Sequence, residues 1–249
     1  MTVLITRPAP ECDQLVARLN QVAISAIAQP LLEVKQGKYI NKLIEQIQQL
    51  QQGDYVIAVS YHAVRFAADY LISQGAEWPK NMHYIAVGDK TAAALAHACQ
   101  QPVSSPKGSH DSEALLALPE LANIHQRRVL ILRGNGGREL IYQALTARQA
   151  QVSYCETYQR CWLALDATRL VQQWQQQQIH ALVVTSNEQL IYLTGLIPIE
   201  DLTWLYNCHL FVPSQRIADQ ASTLGYRHIS TVGSAANQAL FTFLKSNVS

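Results

Sequence analysis

Short apolar runs alternate with amphipathic stretches along the whole chain. Most of the runs are 4–6 residues long, rich in Val, Ile and Leu, and without a strict apolar–polar alternation. Such runs are typical of parallel strands that are buried on both faces of a sheet. They predict strands at Val3–Thr6, Ile24–Ala28, Tyr55–Ser60, His83–Val87, Arg128–Leu132, Val152–Glu156, His180–Thr185, Cys208–Pro213 and His228–Val232.

The stretches between these runs repeat their apolar positions with the period of a helix. This spacing predicts helices over Cys12–Leu19 and Lys42–Leu50. The glutamine-rich segment Gln172–Gln178 is interpreted as the exposed face of a helix from about Asp166 to Gln177, with a low-complexity segment as the alternative. Strands that alternate with helices in this way predict an α/β, doubly wound architecture.

Two extended segments interrupt the alternation. Gln29–Gln36 and Thr157–Leu165 each begin just after another strand candidate, and they bracket the middle of the chain. We interpret them as a pair of linker strands around an inserted domain, because the termini of a domain usually lie close together. The expected organisation is a discontinuous α/β domain of residues 1–33 plus 162–249, an inserted α/β domain of residues 37–156, and linkers at about 30–36 and 157–163.

Composition and charge exclude several classes of protein. The 249 residues are 49% hydrophobic and carry a net charge of +1, which argues against a nucleic-acid binder with a broad basic surface and against disorder. The five cysteines form no C-x-x-C pair and the eight histidines no H-E-x-x-H, so we expect neither a disulfide scaffold nor a metal site. No secretory signal or membrane-spanning run is apparent, so we expect a soluble, cytoplasmic protein.

The two expected domains echo each other in sequence. Three strand–turn–helix units recur, pairing Val3–Leu19 with Val129–Leu145, Tyr55–Leu71 with Ala181–Leu193, and Tyr84–Ala96 with Leu210–Ser222. The strand–turn–helix segment with an arginine at its turn comes first in the discontinuous domain, as Val3–Leu19, and last in the inserted domain, as Val129–Leu145. The echo therefore predicts two similar domains with a permuted order of units.

The six turns of these units follow strands and precede helices, which is where ligands bind in open α/β sheets. Helix N-termini suit anions, and cationic side chains add to that preference. We therefore expect a polyanion-binding cleft between the two domains. The cations at or next to the turns are Arg7, Lys90, Arg133, Arg138 and Arg216, and Arg65 lies one helical turn further on.

Structural interpretations of the same residues remain open. Ser60 and Ser186 have the character of helix N-caps, and Arg7 and Arg133 that of surface charges. The glycines of Arg133–Glu139 permit positive φ in a tight turn, and their spacing is not the G-x-G-x-x-G of dinucleotide sites. Neither serine lies in G-x-S-x-G, which disfavours a hydrolase, and His62 alone indicates no role.

The order and spacing of several short motifs resemble the uroporphyrinogen-III synthase (HemD) family of tetrapyrrole biosynthesis. The resemblance covers about residues 3–230. It rests on the opening V-L-I-T-R-P and on Pro30–Val34, Val59–Phe66, Ala86–Ala92, Asp111–Leu116, Leu132–Glu139, Glu156–Arg160, Val183–Asn187 and Val212–Tyr226. The chain departs from the family where His62 replaces a common asparagine and where no proline follows the Y-x-R motif.

The resemblance implies two doubly wound parallel-sheet domains joined by a two-stranded β linker. It implies a lyase that cyclises hydroxymethylbilane to uroporphyrinogen III with loss of water and inversion of ring D. No metal or organic cofactor is implied, and a monomer is expected, with transient contact with hydroxymethylbilane synthase as a further expectation.

The resemblance also assigns residues. Tyr158, the tyrosine of the Y-x-R motif, is expected to assist departure of the substrate hydroxyl. The expected substrate-binding set comes instead from the positions of residues at the turns and helix starts. It comprises the turn cations other than Arg65, together with Ser60, Thr91, Gly134, Thr185, Ser186 and Ser214. Two rivals remain: an NAD(P)-dependent α/β reductase that uses the Arg133–Glu139 turn, and a non-enzymatic two-domain polyanion-binding protein.

Overall fold

The computed structural model describes residues 2–109 and 111–247. The chain divides into two compact units: unit 1 is Met1–Val34 with Cys161–Ser249, and unit 2 is Lys35–Arg160. Among the described residues, no helix combines the length and the apolar character that crossing a membrane requires.

Strands and helices alternate through most of the chain. The strands are β1 (Thr2–Ile5), β2 (Ala26–Ala28), β3 (Leu32–Gln36), β4 (Tyr55–Ala58), β5 (His83–Ala86), β6 (Val103–Ser104), β7 (Arg128–Gly134), β8 (Gln151–Trp162), β9 (Ile179–Val183), β10 (His209–Val212) and β11 (His228–Thr231). The α-helices are α1 (Glu11–Gln21), α2 (Leu43–Gln48), α3 (Tyr61–Ser73), α4 (Asp89–Cys99), α5 (Ser112–Leu116), α6 (Leu140–Ala147), α7 (Ala167–Gln176), α8 (Asn187–Leu196), α9 (Leu202–Asn207), α10 (Gln215–Leu224) and α11 (Asn237–Asn247). Short 3₁₀ helices cover Ile40–Lys42, Pro119–Leu121 and Ile199–Asp201.

Unit 1 is built on a five-stranded parallel sheet in the order β11-β10-β9-β1-β2. Successive residues of its central strands point to opposite faces of the sheet and therefore belong to different hydrophobic cores. Leu4 and Leu182 pack with helices α7 to α10 on one face, whereas Val3 and Val183 pack with α1 and α11 on the other. Burial on both faces explains why these strands are apolar without alternation.

Unit 2 is built on a sheet in the order β3-β8-β7-β4-β5-β6, with parallel pairing from β8 to β6. Ile57 and Ile131 pack in a core with residues of α5 and α6. Their neighbours Val56 and Leu130 are fully buried as well. The central strands of this sheet are therefore also covered on both faces.

The two sheets share one spatial order. If the strands of unit 1 are counted as they occur along the chain, the order is 2-1-3-4-5, as in flavodoxin-like doubly wound sheets. The run β8-β7-β4-β5-β6 has the same arrangement, with β7 in the place of β1 and β4 in the place of β9. The repeated segments, whose order along the chain differs between the two units, thus form the same spatial arrangement of strands in both sheets.

Most differences from the predicted elements concern strand ends. Val152–Glu156 and the first part of Thr157–Leu165 form one continuous strand, β8, which pairs with β7 through Tyr158 and ends at Trp162. The two-residue strand β6 is too short for a periodic signal, and the helix predicted over Lys42–Leu50 begins as a 3₁₀ turn. The glutamine-rich segment is helical, as expected.

We expect Leu182→Ala to destabilise unit 1 by about 2–5 kcal/mol, because Leu182 is fully buried in a central strand and its loss leaves a cavity. Urea denaturation, followed by circular dichroism, measures the change. Ile199→Ala is the matched control, since Ile199 is 84% exposed and should cost less than about 0.5 kcal/mol. Equal effects of the two substitutions would contradict this assignment of the core.

Candidate active site

The predicted polar residues of unit 2 lie at the carboxyl edge of its sheet. Ser60 follows β4, Lys90 follows β5, Gly134 ends β7, and Tyr158 lies on β8 beside it. These four strands are neighbours in the order β8-β7-β4-β5. The parallel sheet therefore brings together residues that are far apart in sequence.

A bulge in β8 sets the direction of Tyr158. Arg133 pairs with Glu156, but Gly134 pairs with Tyr158, so Thr157 is an extra residue on β8. An added residue reverses which face the following side chains point to. The buried hydroxyl of Thr157 donates to the carbonyl of Ala63 at 2.9 Å, which ties the bulge to α3.

Gly134 makes room for the ring of Tyr158. A Cβ atom at position 134 would lie 2.5 Å from Cζ of Tyr158, well inside van der Waals contact. The ring also stacks on Phe66 with centroids 6.3 Å apart and meets His62 at 5.6 Å, and Tyr158 is only 5% exposed. Gly134 thus makes room for the tyrosine ring, and its contact with substrate stays a prediction.

A directed chain of hydrogen bonds reaches the phenol of Tyr158. The backbone N–H of Ala63 donates to Oγ of Ser60 at 3.2 Å, and this hydroxyl donates to the phenol oxygen of Tyr158 at 3.2 Å. Ser60 is thus the N-cap of α3, as its structural interpretation suggested. Because the phenol oxygen accepts from Ser60, the proton of Tyr158 remains available as a donor.

Arg133 is held by contacts within unit 2. Its Nη1 donates to Glu139 at 2.9 Å, its guanidinium lies 4.4 Å from the ring centroid of Tyr154, and it is 5% exposed. The hydroxyl of Tyr154 donates to the other oxygen of Glu139 at 2.8 Å. The three side chains close a ring, so this guanidinium holds the turn in place and presents little surface to a ligand.

This ring changes the titration of its members. Hydrogen bonds from Tyr154 and Arg133 hold the pKa of the Glu139 carboxyl below its ordinary value. Burial, followed by the hydrogen bond to Glu139, raises the pKa of Tyr154 to about 12. Glu139 is therefore ionised and Tyr154 neutral at pH 7.

The glycine turn between β7 and α6 is anchored at Asn135. Its amide donates to the carbonyl of Arg160 at 3.2 Å and accepts from the Arg160 N–H at 2.7 Å. Gly136 and Gly137 follow with φ of 131° and 117°, so both positions favour glycine. Arg138 is exposed at the end of the turn and pairs with Glu113 at 3.2 Å.

Lys90 and Thr91 lie in the first turn of α4. The ammonium group of Lys90 is exposed and lies 4.7 Å from the ring centroid of Tyr61. Thr91 is buried. Of this predicted pair, only the lysine presents its side chain to solvent.

In unit 1, Arg7 lies just beyond β1 and is held by the segment that leads into α11 and by the first residue of that helix. Its Nη1 donates to the carbonyl of Ala235 at 2.9 Å and to the side chain of Asn237 at 2.6 Å. Its Nε is buried without a hydrogen-bond partner. Burial lowers the pKa of this guanidinium from its ordinary value.

The turns after β9 and β10 complete the carboxyl edge of unit 1. Ser186 caps α8 by accepting from the N–H of Gln189 at 3.2 Å, and the hydroxyl of Thr185 donates to the Gln189 side chain at 3.0 Å. Ser214 occupies the N-cap position of α10 without a side-chain cap bond, and Arg216 is exposed in the first turn. Ser214 and Arg216 therefore have more freedom to meet a ligand than Thr185 and Ser186.

Sequence reasoning missed the residues that position this site. Tyr154 and Asn135 act through partners 15 and 25 residues away, and no local pattern marks such pairs. His62 and Phe66 were also missed, and their spacing of four residues on α3, which puts them on one helix face, is the signal that could have found them. Burial raises the pKa of Cys12, Cys155 and Cys208 to about 12, so these thiols are unreactive.

The site could offer backbone N–H groups, hydroxyls and cations to an anionic ligand, with a phenol as proton donor. Over residues 2–109 and 111–247, no group of three or more His, Cys, Asp or Glu side chains is placed to hold a metal ion. Nucleophilic chemistry has no support in this geometry, because Ser60 is committed to the helix cap and to Tyr158.

We expect Glu139→Gln to destabilise unit 2 at pH 7 and to have less effect in acid. Because folding lowers the pKa of this carboxyl, its contribution is present above the unfolded pKa of about 4.3 and is lost as pH falls through the folded value. The free energy of unfolding of both proteins, measured in urea from pH 7 to pH 3, tests this. Glu77→Gln is the control, because Glu77 is exposed. If the difference in the free energy of unfolding between the wild type and Glu139→Gln stayed constant with pH, the ring of contacts would be contradicted.

Known proteins that resemble the chain agree on one family. The family model described as "Uroporphyrinogen-III synthase HemD" matches residues 13–241. The uroporphyrinogen-III synthase of Escherichia coli (strain K12) is 42% identical over 246 residues, which cover 98% of this chain and 100% of that protein. The uroporphyrinogen-III synthase of Proteus mirabilis is 36% identical over 182 residues, or 73% of this chain and 92% of the relative.

Solved structures agree at the level of the fold. A mutant uroporphyrinogen III synthase from the extremely thermophilic bacterium Thermus thermophilus matches with a TM-score of 0.65 at 17% identity, covering 99% of this chain and 98% of that one. Uroporphyrinogen-III synthetase from Helicobacter pylori 26695 matches with a TM-score of 0.58 at 14% identity, covering 98% of each chain. The α/β fold class and the resemblance inferred from sequence are confirmed, and the chain belongs to the uroporphyrinogen-III synthase family.

Proposed function

We propose that this chain converts hydroxymethylbilane to uroporphyrinogen III, acting as a hydro-lyase of tetrapyrrole biosynthesis. Family membership supports the activity. One observation in the site carries the chemistry: the phenol of Tyr158 accepts a hydrogen bond from Ser60 and keeps its own proton for a ligand.

The reaction needs positioning more than covalent help. The electrons of a pyrrole nitrogen expel the terminal hydroxyl, and the substituted α-carbon of ring D attacks the resulting azafulvene. The spiro intermediate then fragments and recloses with ring D reversed. Closure without guidance gives the unreversed isomer, so the protein must hold the reacting carbons close together and exclude the other closure.

Tyr158 is proposed to donate a hydrogen bond to the departing hydroxyl. The chain from the Ala63 N–H through Ser60 polarises the phenol, because each donor strengthens the next one. It starts at the N-terminus of α3, where the helix dipole favours the negative charge that grows on the phenol oxygen. Gly134 and Phe66 fix the ring, so the donor is oriented before substrate arrives.

The eight carboxylates of the substrate are proposed to bind at the carboxyl edges of the sheets. The exposed cations Lys90 and Arg216 are suited to this task, and Arg138 is suited to it if a substrate carboxylate replaces its exposed partner Glu113. Arg133 and Arg7 are tied to internal partners and are proposed to hold their turns in shape. Backbone N–H groups at helix starts add dipolar attraction, which explains how a chain of net charge +1 can bind a polyanion.

The reductase alternative has little support. In the glycine turn, the carboxylate of Glu139 lies at the N-terminus of α6, where a dinucleotide pyrophosphate would have to sit. Like charges disfavour that arrangement.

The proposal also includes a monomeric enzyme in the cytoplasm that receives its substrate from hydroxymethylbilane synthase by transient contact, as the family resemblance implies.

The function is tested by supplying hydroxymethylbilane, oxidising the products and separating the porphyrin isomers. With the protein present we expect type III, whereas the reaction without protein should give type I. Heat-denatured protein is the control. Formation of type I alone in the presence of folded protein would overturn the assignment.

Tyr158→Phe should lower kcat about tenfold to a hundredfold, because it removes the proton donor and keeps the ring packing. Tyr39→Phe is the matched control, since Tyr39 is exposed in the same unit and should leave kcat unchanged. The isomer assay, run with both variants at saturating substrate, measures the effect. An unchanged kcat in Tyr158→Phe would remove this phenol from the mechanism.

A further inference from the structure

Five side chains form a contiguous cluster of rings and cations beside Tyr158, which we call the α3 cluster: Tyr61, His62, Arg65, Phe66 and Lys90. Lys90 lies 4.7 Å from the ring centroid of Tyr61, and the Tyr61 and His62 rings are 5.9 Å apart. Arg65 lies 4.4 Å from the ring centroid of Phe66. His62 and Phe66 both pack on Tyr158.

The two cations of the cluster contact aromatic rings instead of carboxylates. Among residues 2–109 and 111–247, neither Arg65 nor Lys90 pairs with an Asp or Glu side chain. The Nε of Arg65 is buried without a hydrogen-bond acceptor. The side chain as a whole is only partly buried and has no carboxylate partner among the described residues, so a ligand carboxylate can pair with its guanidinium.

The cluster also presents an aromatic surface. Tyr61 begins α3 and is 37% exposed, so part of its ring is open to a partner. Tyr61 and Arg65 lie four residues apart and share a helix face, and Lys90 lies over the same tyrosine. A flat heterocycle flanked by carboxylates matches this combination of ring and charges.

Unit 1 lacks this cluster although its helix is equivalent. Ser60 and Ser186 cap α3 and α8 in the same way, so position 61 corresponds to 187 and position 65 to 191. The equivalent residues are Asn187 and Ile191, and Glu188 replaces His62. Tyr61 and Arg65 are therefore features of unit 2 and not of the repeated fold. Lys90, on α4, does have a cationic counterpart, Arg216 on α10, because each lies two residues after the N-cap of its helix.

We propose that the α3 cluster is a subsite for one pyrrole ring of the substrate, with Arg65 and Lys90 each binding one of its carboxylates. This proposal deepens the function proposed above and rests on it. It adds Arg65 and Tyr61 to the binding surface next to the donor. A subsite on only one of two similar units would hold the bilane in one direction.

The test compares Arg65→Gln, Lys90→Gln and the double variant in the isomer assay. Each single change should raise KM about tenfold, and kcat should change less than about twofold, because carboxylate binding is lost without loss of the donor. The dissociation constant of uroporphyrin III, measured by its fluorescence, should rise by a similar factor. Raised salt should weaken binding less in the double variant than in the wild type.

Two controls separate binding from structure. Lys80→Gln removes the same charge at the other end of β5 and should leave KM unchanged. Arg65→Lys keeps the charge and should retain KM within about threefold, and thermal unfolding checks that each variant is folded. Unchanged KM and porphyrin affinity in the folded double variant would overturn the subsite, whereas a wild type that forms only type I would overturn the function itself.

Discussion

Parallel strand pairing is the constraint on which the rest of this structure depends. Strands that run in one direction all end at the same edge, and each is followed by a turn and the N-terminus of a helix. In unit 2 this places residues of β4, β5, β7 and β8 side by side, although they span positions 60 to 158. The same constraint requires burial on both faces, which leaves the edges as the places where polar side chains can gather.

The two units use one sheet arrangement in different ways. In each unit, an arginine lies at or just beyond the carboxyl end of the equivalent strand, which is β1 in unit 1 and β7 in unit 2. Partners within the unit hold this arginine: Asn237 binds Arg7, and Glu139 binds Arg133. In unit 2 the bulge in β8 lies at the carboxyl end of the strand pair and turns a tyrosine over a glycine, whereas the register shift between β1 and β9 of unit 1 lies at the start of those strands. The repeated part of the fold thus stabilises the turns, and the departures from the repeat carry the proposed chemistry.

Much of the fold could be predicted from the sequence, because double burial leaves a clear trace of apolar runs between helical patterns. The permuted echo also pointed to two similar sheets. The bulge at Thr157 could not be predicted, since one extra residue in a strand changes the direction of the following side chains without leaving a mark in the composition. For the same reason, the sequence showed Tyr158 and Gly134 as separate motif residues, and their contact emerged only from the pairing of β7 with β8.

The double hydrogen bond between Asn135 and Arg160 has a consequence for how the sheet opens. The Arg160 amide proton is held by a side chain of the glycine turn instead of by a neighbouring strand. Its exchange with solvent therefore follows the movement of that turn, whereas amides paired within β7 and β8 follow the unfolding of the sheet. One backbone amide thus reports the local dynamics of the turn separately from the stability of the unit.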